Sequence, residues 1–417
     1  MRGGSFIRFC RTNVGRSVLS NFSWMFCLKI AGYLFPLLTV PYLARVIGAD
    51  GFGKIAFASV VTVWVAAVSD WGLPITAVRD LARCKEDQKQ VCSLYSTVFF
   101  IRILLFLACV AVVVLLLPFV DHVRNESVLL FFSLSTVLGR IVLSEWFFQA
   151  MEDMKFVTIF NVIVKTVFTG LVFVFIRAPE DYILHPLLLS CSTMLLGVVS
   201  QILICVKWHV VVRRVSFPTM IRTVKRNTGV FLSVFMHNFY DGFSQFLLGI
   251  WGGFGQVGIY DAGKKLYELA YQFIALLSNA FLPVLSKDVK IHKFYSHLTM
   301  GVTCTVSLLL FVAAPWMVDL FFSSEFSSAT LILRILSVSL PFWMMVNVYG
   351  TNYLIVVGEE QRYGRIITSV SLFGAALALG LVKWRHAVGV AMLILIVRMV
   401  MAISCYYSAK RHKHLVA

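Results

Sequence analysis

The sequence predicts an all-α integral membrane protein of about twelve transmembrane helices in two pseudo-symmetric six-helix bundles. Three observations predict it. Hydrophobic residues make up 59% of 417 positions and Asp, Glu, Lys and Arg only 14%, against roughly 25% charged residues in an ordinary soluble domain. The apolar residues come in continuous helix-length runs such as 99–119, whereas a membrane β-barrel is built from segments of about ten residues with alternating polarity. Basic residues gather in short clusters between those runs, and the largest cluster lies near the midpoint of the chain.

Taken in order, the first twenty residues carry Arg2, Arg8, Arg11 and Arg16. They lack a compact apolar region followed by a small-residue cleavage site, so no removable signal peptide is expected and the first span stays in place. Apolar runs then place spans near 21–44, 53–76, 92–118, 127–149, 156–177, 183–207, 229–251, 256–283, 297–322, 328–354, 364–382 and 387–408. Each is close to the 20 or so residues that cross a hydrocarbon core of about 30 Å. With the N-terminus on the cytoplasmic side, 23 of the 37 Lys and Arg fall on that side, 6 on the other and 8 within spans. This bias predicts cytoplasmic N- and C-termini.

Lys207, Arg213, Arg214, Arg222, Lys225 and Arg226 sit between spans six and seven. The expected organisation is therefore an N-terminal lobe at 1–208, a basic cytoplasmic linker at 209–228 and a C-terminal lobe at 229–417. The halves echo one another: Gly48-x4-Gly53 opens span two and Gly253-x4-Gly258 opens span eight, 205 positions later. Two such bundles with a cleft between them are the expected architecture of an alternating-access transporter. Pro36, Pro41, Pro74 and Pro283 interrupt backbone ladders within or at the ends of spans and permit kinks.

An ionisable side chain at the bilayer centre costs at least about 2.5 kcal/mol on insertion scales, so each one calls for a reason. Lys29, Arg102, Arg140, Lys165, Lys264, Lys265, Arg334 and Arg398 fall within spans, with Arg79 at the cytoplasmic end of span two. The acids are fewer: Asp70, Glu145, Asp241, Asp261 and Glu268. A cationic interior suits an anionic passenger, since Arg offers forked donors to phosphate and Lys a mobile point charge. Lys29, Arg79, Arg102, Arg140, Lys165, Lys264 and Arg398 are the candidate substrate-binding cations. Local pairing is the competing reading for two of them: Lys264 with Glu268 at i,i+4, and Arg140 with Glu145. Arg334, close to the end of its span, is expected to reach the interface.

His237, Asp241 and Gln245 recur every fourth residue and form one polar stripe. His237 and Asp241, together with Asp70, are candidates for proton coupling or a gate; the stripe would equally serve as a hydrogen-bonded patch joining helices. No P-loop, nucleophile elbow or metal-spaced His/Cys set occurs, and nine scattered cysteines include no C-x-x-C pair. ATP hydrolysis, metal and cofactor chemistry are not expected, nor is nucleic-acid binding, because the net charge of +17 sits in membrane-flanking clusters.

Five stretches, "FPLLTVPYLARVIGADGFGKIAFA" (Phe35 to Ala58), "DWGLPITAVRDLA" (Asp70 to Ala82), "EWFFQAMEDMKFVTIFNVIVK" (Glu145 to Lys165), "GQVGIYDAGKKLYELAYQFIALLSNAFLPVLSK" (Gly255 to Lys287) and "LRILSVSLPFWMMVNVYGTNYLIVVGEEQRY" (Leu333 to Tyr363), span both halves. As a set they resemble the O-antigen and polysaccharide repeat-unit flippases, the polysaccharide transporter family of the MATE-like multidrug, oligosaccharidyl-lipid and polysaccharide (MOP) exporter superfamily. The resemblance implies a MATE-like fold and no enzymatic activity. It also implies transfer of an undecaprenyl-pyrophosphate-linked oligosaccharide from the cytoplasmic to the periplasmic leaflet of a bacterial inner membrane, with membrane lipid and other polysaccharide assembly proteins as partners. Arg79 lies in the matching "AVRDLA" motif. Alternatives are a polymerase or ligase of the same lipid-linked glycans, expected to carry a large periplasmic loop, or another exporter of this fold, for a lipid-linked peptidoglycan precursor or for drugs. Cationic drugs would call for an acidic interior, and this one leans basic.

Overall fold

A computed structural model describes residues 13–119, 124–285 and 292–416, and places nearly all of them in helices. In chain order these are α1 (Asn13–Asp70), α2 (Leu73–Arg83), α3 (Gln88–Leu116), α4 (Ser127–Leu143), α5 (Glu145–Ala150), α6 (Met154–Phe175), α7 (Leu184–Trp208), α8 (Phe217–Gly252), α9 (Phe254–Leu285), α10 (His292–Phe321), α11 (Ala329–Met345) and α12 (Glu360–Val416). Two of them are each long enough for two crossings. α1 runs 58 residues but turns at Gly48 (φ 68°), and α12 runs 57 but turns at His386 (φ 47°). With α4 and α5 as one rod and α2 set apart, the described residues form twelve membrane-length rods. The chain is a multi-pass membrane protein.

The punctuation has local causes. Left-handed backbone at Trp71 (φ 43°) and Gly72 (φ 70°) separates α1 from α2. Pro74 follows in the first turn of α2, where its missing N–H costs no hydrogen bond. α2 buries Leu73, Ala77 and Leu81, one face at fourfold spacing. Asp87 then caps α3 by accepting from the backbone N–H of Lys89 at 2.9 Å and of Gln90 at 3.1 Å. Those backbone donors hold the Asp87 carboxyl below its ordinary range.

The basic segment between the sixth and seventh spans is shorter as a loop than the sequence implied. α8 begins at Phe217, one residue after Ser216, whose hydroxyl meets that of Thr219 at 2.8 Å, so Arg222, Lys225 and Arg226 are already helical. The chain divides into two compact units. The first holds the described parts of Met1–Val46 and Val61–Leu232, the second Ile47–Val60 and Ser233–Ala417.

The first unit is centred on aromatic side chains. Ser144, left-handed at φ 48°, breaks α4 from α5 and sends Trp146, Phe147 and Phe148 into the interior at 4%, 0% and 0% exposure. Phe147 and Phe148 each meet the Trp208 ring edge-on at 5.5 Å, and Tyr95 donates to Gln201 at 2.7 Å. Edge-on ring pairs of this kind add about 0.5–1.5 kcal/mol beyond their buried area.

In the second unit α11 passes into a π-helical stretch, Val346–Ile355, a rare geometry often found at functional positions. Asn352 on that stretch donates to Ser278 at 3.1 Å, Ser278 shares a hydrogen bond with Tyr295 at 2.8 Å, and His292 meets the Val348 carbonyl at 2.9 Å. The second unit also holds both glycine motifs. A Cβ added at Gly53 would fall 1.7 Å from the carbonyl oxygen of Phe254, and one at Gly258 would fall 2.1 Å from that of Ala49. Ala49 and Phe254, like Gly53 and Gly258, are 205 positions apart. The repeat seen in the sequence is thus a reciprocal backbone contact, with the left-handed turns at Gly48 and Gly253 (φ 79°) preceding it.

Candidate functional site

Each unit carries its intramembrane charges in its own arrangement. In the first, Asp70 at the end of α1 accepts from Arg102 on α3 through Nη2 at 2.6 Å and Nε at 3.0 Å. Nη1 of Arg102 also donates to the Ile141 carbonyl at 3.4 Å, and the residue is 5% exposed. From the sequence Arg102 has no local partner; the structure supplies one 32 residues away. The two residues proposed for different tasks, Asp70 at a gate and Arg102 at the substrate, are thus bonded to each other through Asp70 Oδ1, with Arg102 buried and Asp70 29% exposed.

The rest of the first unit's group is open. Arg140 near the end of α4 and Glu145 at the start of α5 lie at the protein surface, and Lys165 on α6 is half-buried. Glu145 feels the charges of both Arg140 and Lys165. No ion pair within 4.0 Å joins them among the described residues, so the expected Arg140–Glu145 salt bridge is not formed. Lys165 Nζ points to α1 where Gly32 has no side chain, 3.7 Å from the place a Cβ would occupy. Two cations therefore share one carboxylate. The Lys29 side chain lies outside the described residues. Arg79 sits on α2 with an exposed side chain 3.4 Å from Asp80, and Asp80 also accepts from Arg226 at 2.7 Å.

The second unit brings Lys264 on α9 to Asp241 on α8, at 3.0 and 2.9 Å from the two carboxylate oxygens. Lys264 also reaches Gln245 at 3.4 Å, and the Tyr260 hydroxyl donates to Asp241 at 3.4 Å. The expected Lys264–Glu268 pair is thus replaced. Glu268 faces Lys265 instead, at 3.7 Å, because the side of α9 bearing Lys264 is turned to the polar stripe of α8. Arg398 on α12 donates to Ser339 at 2.9 Å and to the Tyr267 hydroxyl, and lies over the Tyr267 ring. His237 feels the Arg398 charge but takes no part in the Asp241 bonds. Arg334 stands apart, with Nε donating to the Phe311 carbonyl at 3.3 Å.

Sequence reasoning passed over Tyr260, Tyr267 and Ser339. The signal was present: Tyr260, Lys264, Tyr267 and Tyr271 recur at spacings of three and four, one face of α9. Around this network the formal charges of Asp241, Asp261 and Glu268 equal those of Lys264, Lys265 and Arg398, and the Tyr260 and Tyr267 hydroxyls bond to Asp241 and Arg398.

The profile of the family described as Polysaccharide biosynthesis protein matches residues 18–289. A protein of Escherichia coli (strain K12) named "Putative O-antigen transporter" is 21% identical over 388 residues, 91% of this chain and 93% of that protein. One of the same name from Shigella dysenteriae is 23% identical over 384 residues, 90% and 96% of the two chains. Among solved structures, the lipid II flippase MurJ in an inward closed conformation superposes with a TM-score of 0.74 at 14% identity, covering 94% of this chain and 87% of that one. An inward-facing multidrug resistance MATE family transporter of the MOP superfamily gives 0.66 at 15% identity, covering 91% and 98%. The chain shares the fold of these two solved structures, and by the match across 18–289 it belongs to the polysaccharide biosynthesis protein family.

Proposed function

We propose that this chain is a flippase, not an enzyme, and that it moves an undecaprenyl-pyrophosphate-linked oligosaccharide repeat unit, of the O-antigen kind, from the cytoplasmic to the periplasmic leaflet of a bacterial inner membrane. The observation that carries the reading is the open group in the first unit. Arg140 is exposed and Lys165 half-buried, both lie within spans, and Glu145 is the one carboxylate whose charge they share without an ion pair, which leaves positive charge for a pyrophosphate or an acidic sugar. The whole-length relatives named as O-antigen transporters support the substrate class. The distribution of Lys and Arg supports cytoplasmic termini. Arg140, Lys165 and Lys29 are the proposed substrate contacts; Asp70–Arg102 and the Asp241–Lys264–Arg398 network hold the helices that present them.

A second reading, a flippase for a lipid-linked peptidoglycan precursor, draws on the likeness to MurJ. Deleting the gene and analysing lipid-linked intermediates separates the two. Accumulation of cytoplasm-facing repeat units with loss of surface polysaccharide is expected. Unchanged surface polysaccharide with no accumulation would sink the proposal, and arrested peptidoglycan synthesis would favour the second reading.

A further inference from the structure

α12 turns back at His386, so its first turns and its last turns line an open cleft of about 850 Å³ outside the network described above. Three guanidinium groups line it: Arg362 and Arg365 from the start of the helix and Arg411 from its end. Their spacing is helical, with Arg362, Arg365 and Ser369 on one face and Ser404, Ser408 and Arg411 on the other. The one carboxylate in the lining is Glu359, and none of the three arginines forms an ion pair among the described residues. A second, independent observation concerns Ser408. It is 6% exposed, it lines the same cleft, and its hydroxyl has no hydrogen-bond partner.

The corresponding place in the first unit is closed. There the start of α6 and the end of α7 are tied by the Asp153–Lys207 ion pair, with the Lys207 ammonium over the Phe156 and Trp208 rings. Three arginines against a single carboxylate, beside a buried, unpartnered hydroxyl, form a donor set suited to phosphate, since the guanidinium fork matches two phosphate oxygens and a turn of the serine hydroxyl would add a third hydrogen bond. The wall is also apolar on one side. Ile366 and Ile403 line it, and along α12 Ile403 continues into the exposed Met399 and Ile396. A ligand seated here has its anionic head among the arginines and an apolar chain along the helix.

We propose that the two ends of α12 form a binding site for the phosphate of an anionic lipid headgroup. On the orientation given under Proposed function, from which this inference takes its membrane side, the headgroup belongs to the cytoplasmic leaflet. Basic pockets between transmembrane helices on that side are suited to phosphate-bearing lipids. The source is either an anionic phospholipid of the bilayer or the pyrophosphate-linked carrier that the flippase moves, and both present the same chemistry to Arg362, Arg365 and Arg411.

The test uses the full-length protein in nanodiscs of phosphatidylcholine doped with phosphatidylglycerol or with undecaprenyl pyrophosphate, and reads retained lipid by native mass spectrometry. Arg362→Gln/Arg365→Gln/Arg411→Gln should lower retention of the anionic lipid roughly 10- to 100-fold. Ser408→Ala should lower it roughly two- to threefold, and phosphatidylcholine retention should not change. Preference for phosphatidylglycerol assigns the site to the bilayer, and preference for undecaprenyl pyrophosphate assigns it to the carrier. Equal retention by wild type and triple variant overturns the proposal, as does binding of inorganic pyrophosphate with no lipid retained. Thermal unfolding of each variant in the nanodisc checks that the fold survives, and Ser408→Ala keeps the test valid if the triple variant does not fold. Because the readout is binding, a protein that retains the lipid but flips no oligosaccharide fails only the reading under Proposed function.

Discussion

The two units place similar numbers of charges in their interiors and spend them differently. In the second, Asp241 meets Lys264 and Glu268 meets Lys265, while Arg398 is held by the Tyr267 and Ser339 hydroxyls, so that Lys264 and Arg398 each have more than one partner. In the first, one pair is sealed, while Arg140, Glu145 and Lys165 stay accessible and unbridged. Charges that satisfy one another hold helices together, because the cost of taking each out of water is offset only by its partner. Charges left facing an open space with a net excess of one sign retain attraction for a ligand of the other. The contrast teaches that depth in the membrane alone does not single out a substrate contact; depth without a partner is what sets Arg140 and Lys165 apart as the proposed ones.

Breaking the sealed pair should have the largest effect on folding. Asp70→Asn strands the buried Arg102 guanidinium and should cost about 3–5 kcal/mol, and Arg102→Gln should cost less because Asp70 keeps 29% of its side chain exposed; both are seen as lower membrane abundance and an earlier melting transition in detergent. Wild-type abundance in both variants would remove the distinction between closed and open charges. Asp241→Asn should cost less, about 1.5–3 kcal/mol, because both members of the pair keep about a fifth of their side chains exposed. Adding Lys264→Met should recover part of that loss, and a double variant no better than the single one would show that the network is not pairwise.

Lys165→Gln and Arg140→Gln sharpen the comparison from the other side. Each should change stability by less than about 1 kcal/mol while lowering oligosaccharide transfer in proteoliposomes severalfold; abundance falling in step with transfer would return both to structural roles. The smallest effect lies outside the membrane. The Asp87 carboxyl is held low by backbone donors, so the stability its charge gives to the start of α3 is present above the ordinary aspartate pKa of about 3.9. That stability is lost as pH falls through the depressed value. Amide exchange at Lys89 and Gln90 should accelerate only below that range, and Asp87→Asn should remove the pH dependence.

Much of the fold was legible because hydropathy in a bilayer is a one-dimensional signal: a run such as 99–119 has no other place to go. The glycine repeat was legible for a related reason, since a turn at Gly48 and a close approach at Gly53 each demand a residue without a Cβ. Pairing was not legible. Asp70 and Arg102 are 32 residues apart and Asp241 and Lys264 are 23 apart, and which rotation of α9 wins depends on the stripe it packs against. The local i,i+4 partner of Lys264 lost to a tertiary one. Arg362, Arg365 and Arg411 looked like topological charge alone, because the turn at His386 that brings the ends of α12 together leaves no mark in composition.

The contact between Gly53 and Gly258 carries a consequence for descent. Each glycine makes room for a carbonyl of the other motif, so neither position can gain a side chain without striking backbone that belongs to its counterpart. A half-length chain bearing one such motif could meet the same geometry only by pairing with a second copy of itself. Once two copies are joined in one polypeptide, most positions are free to drift apart, as the two sets of interior charges have done. These two positions are bound to a common identity, a fixed point at which the two halves have to agree.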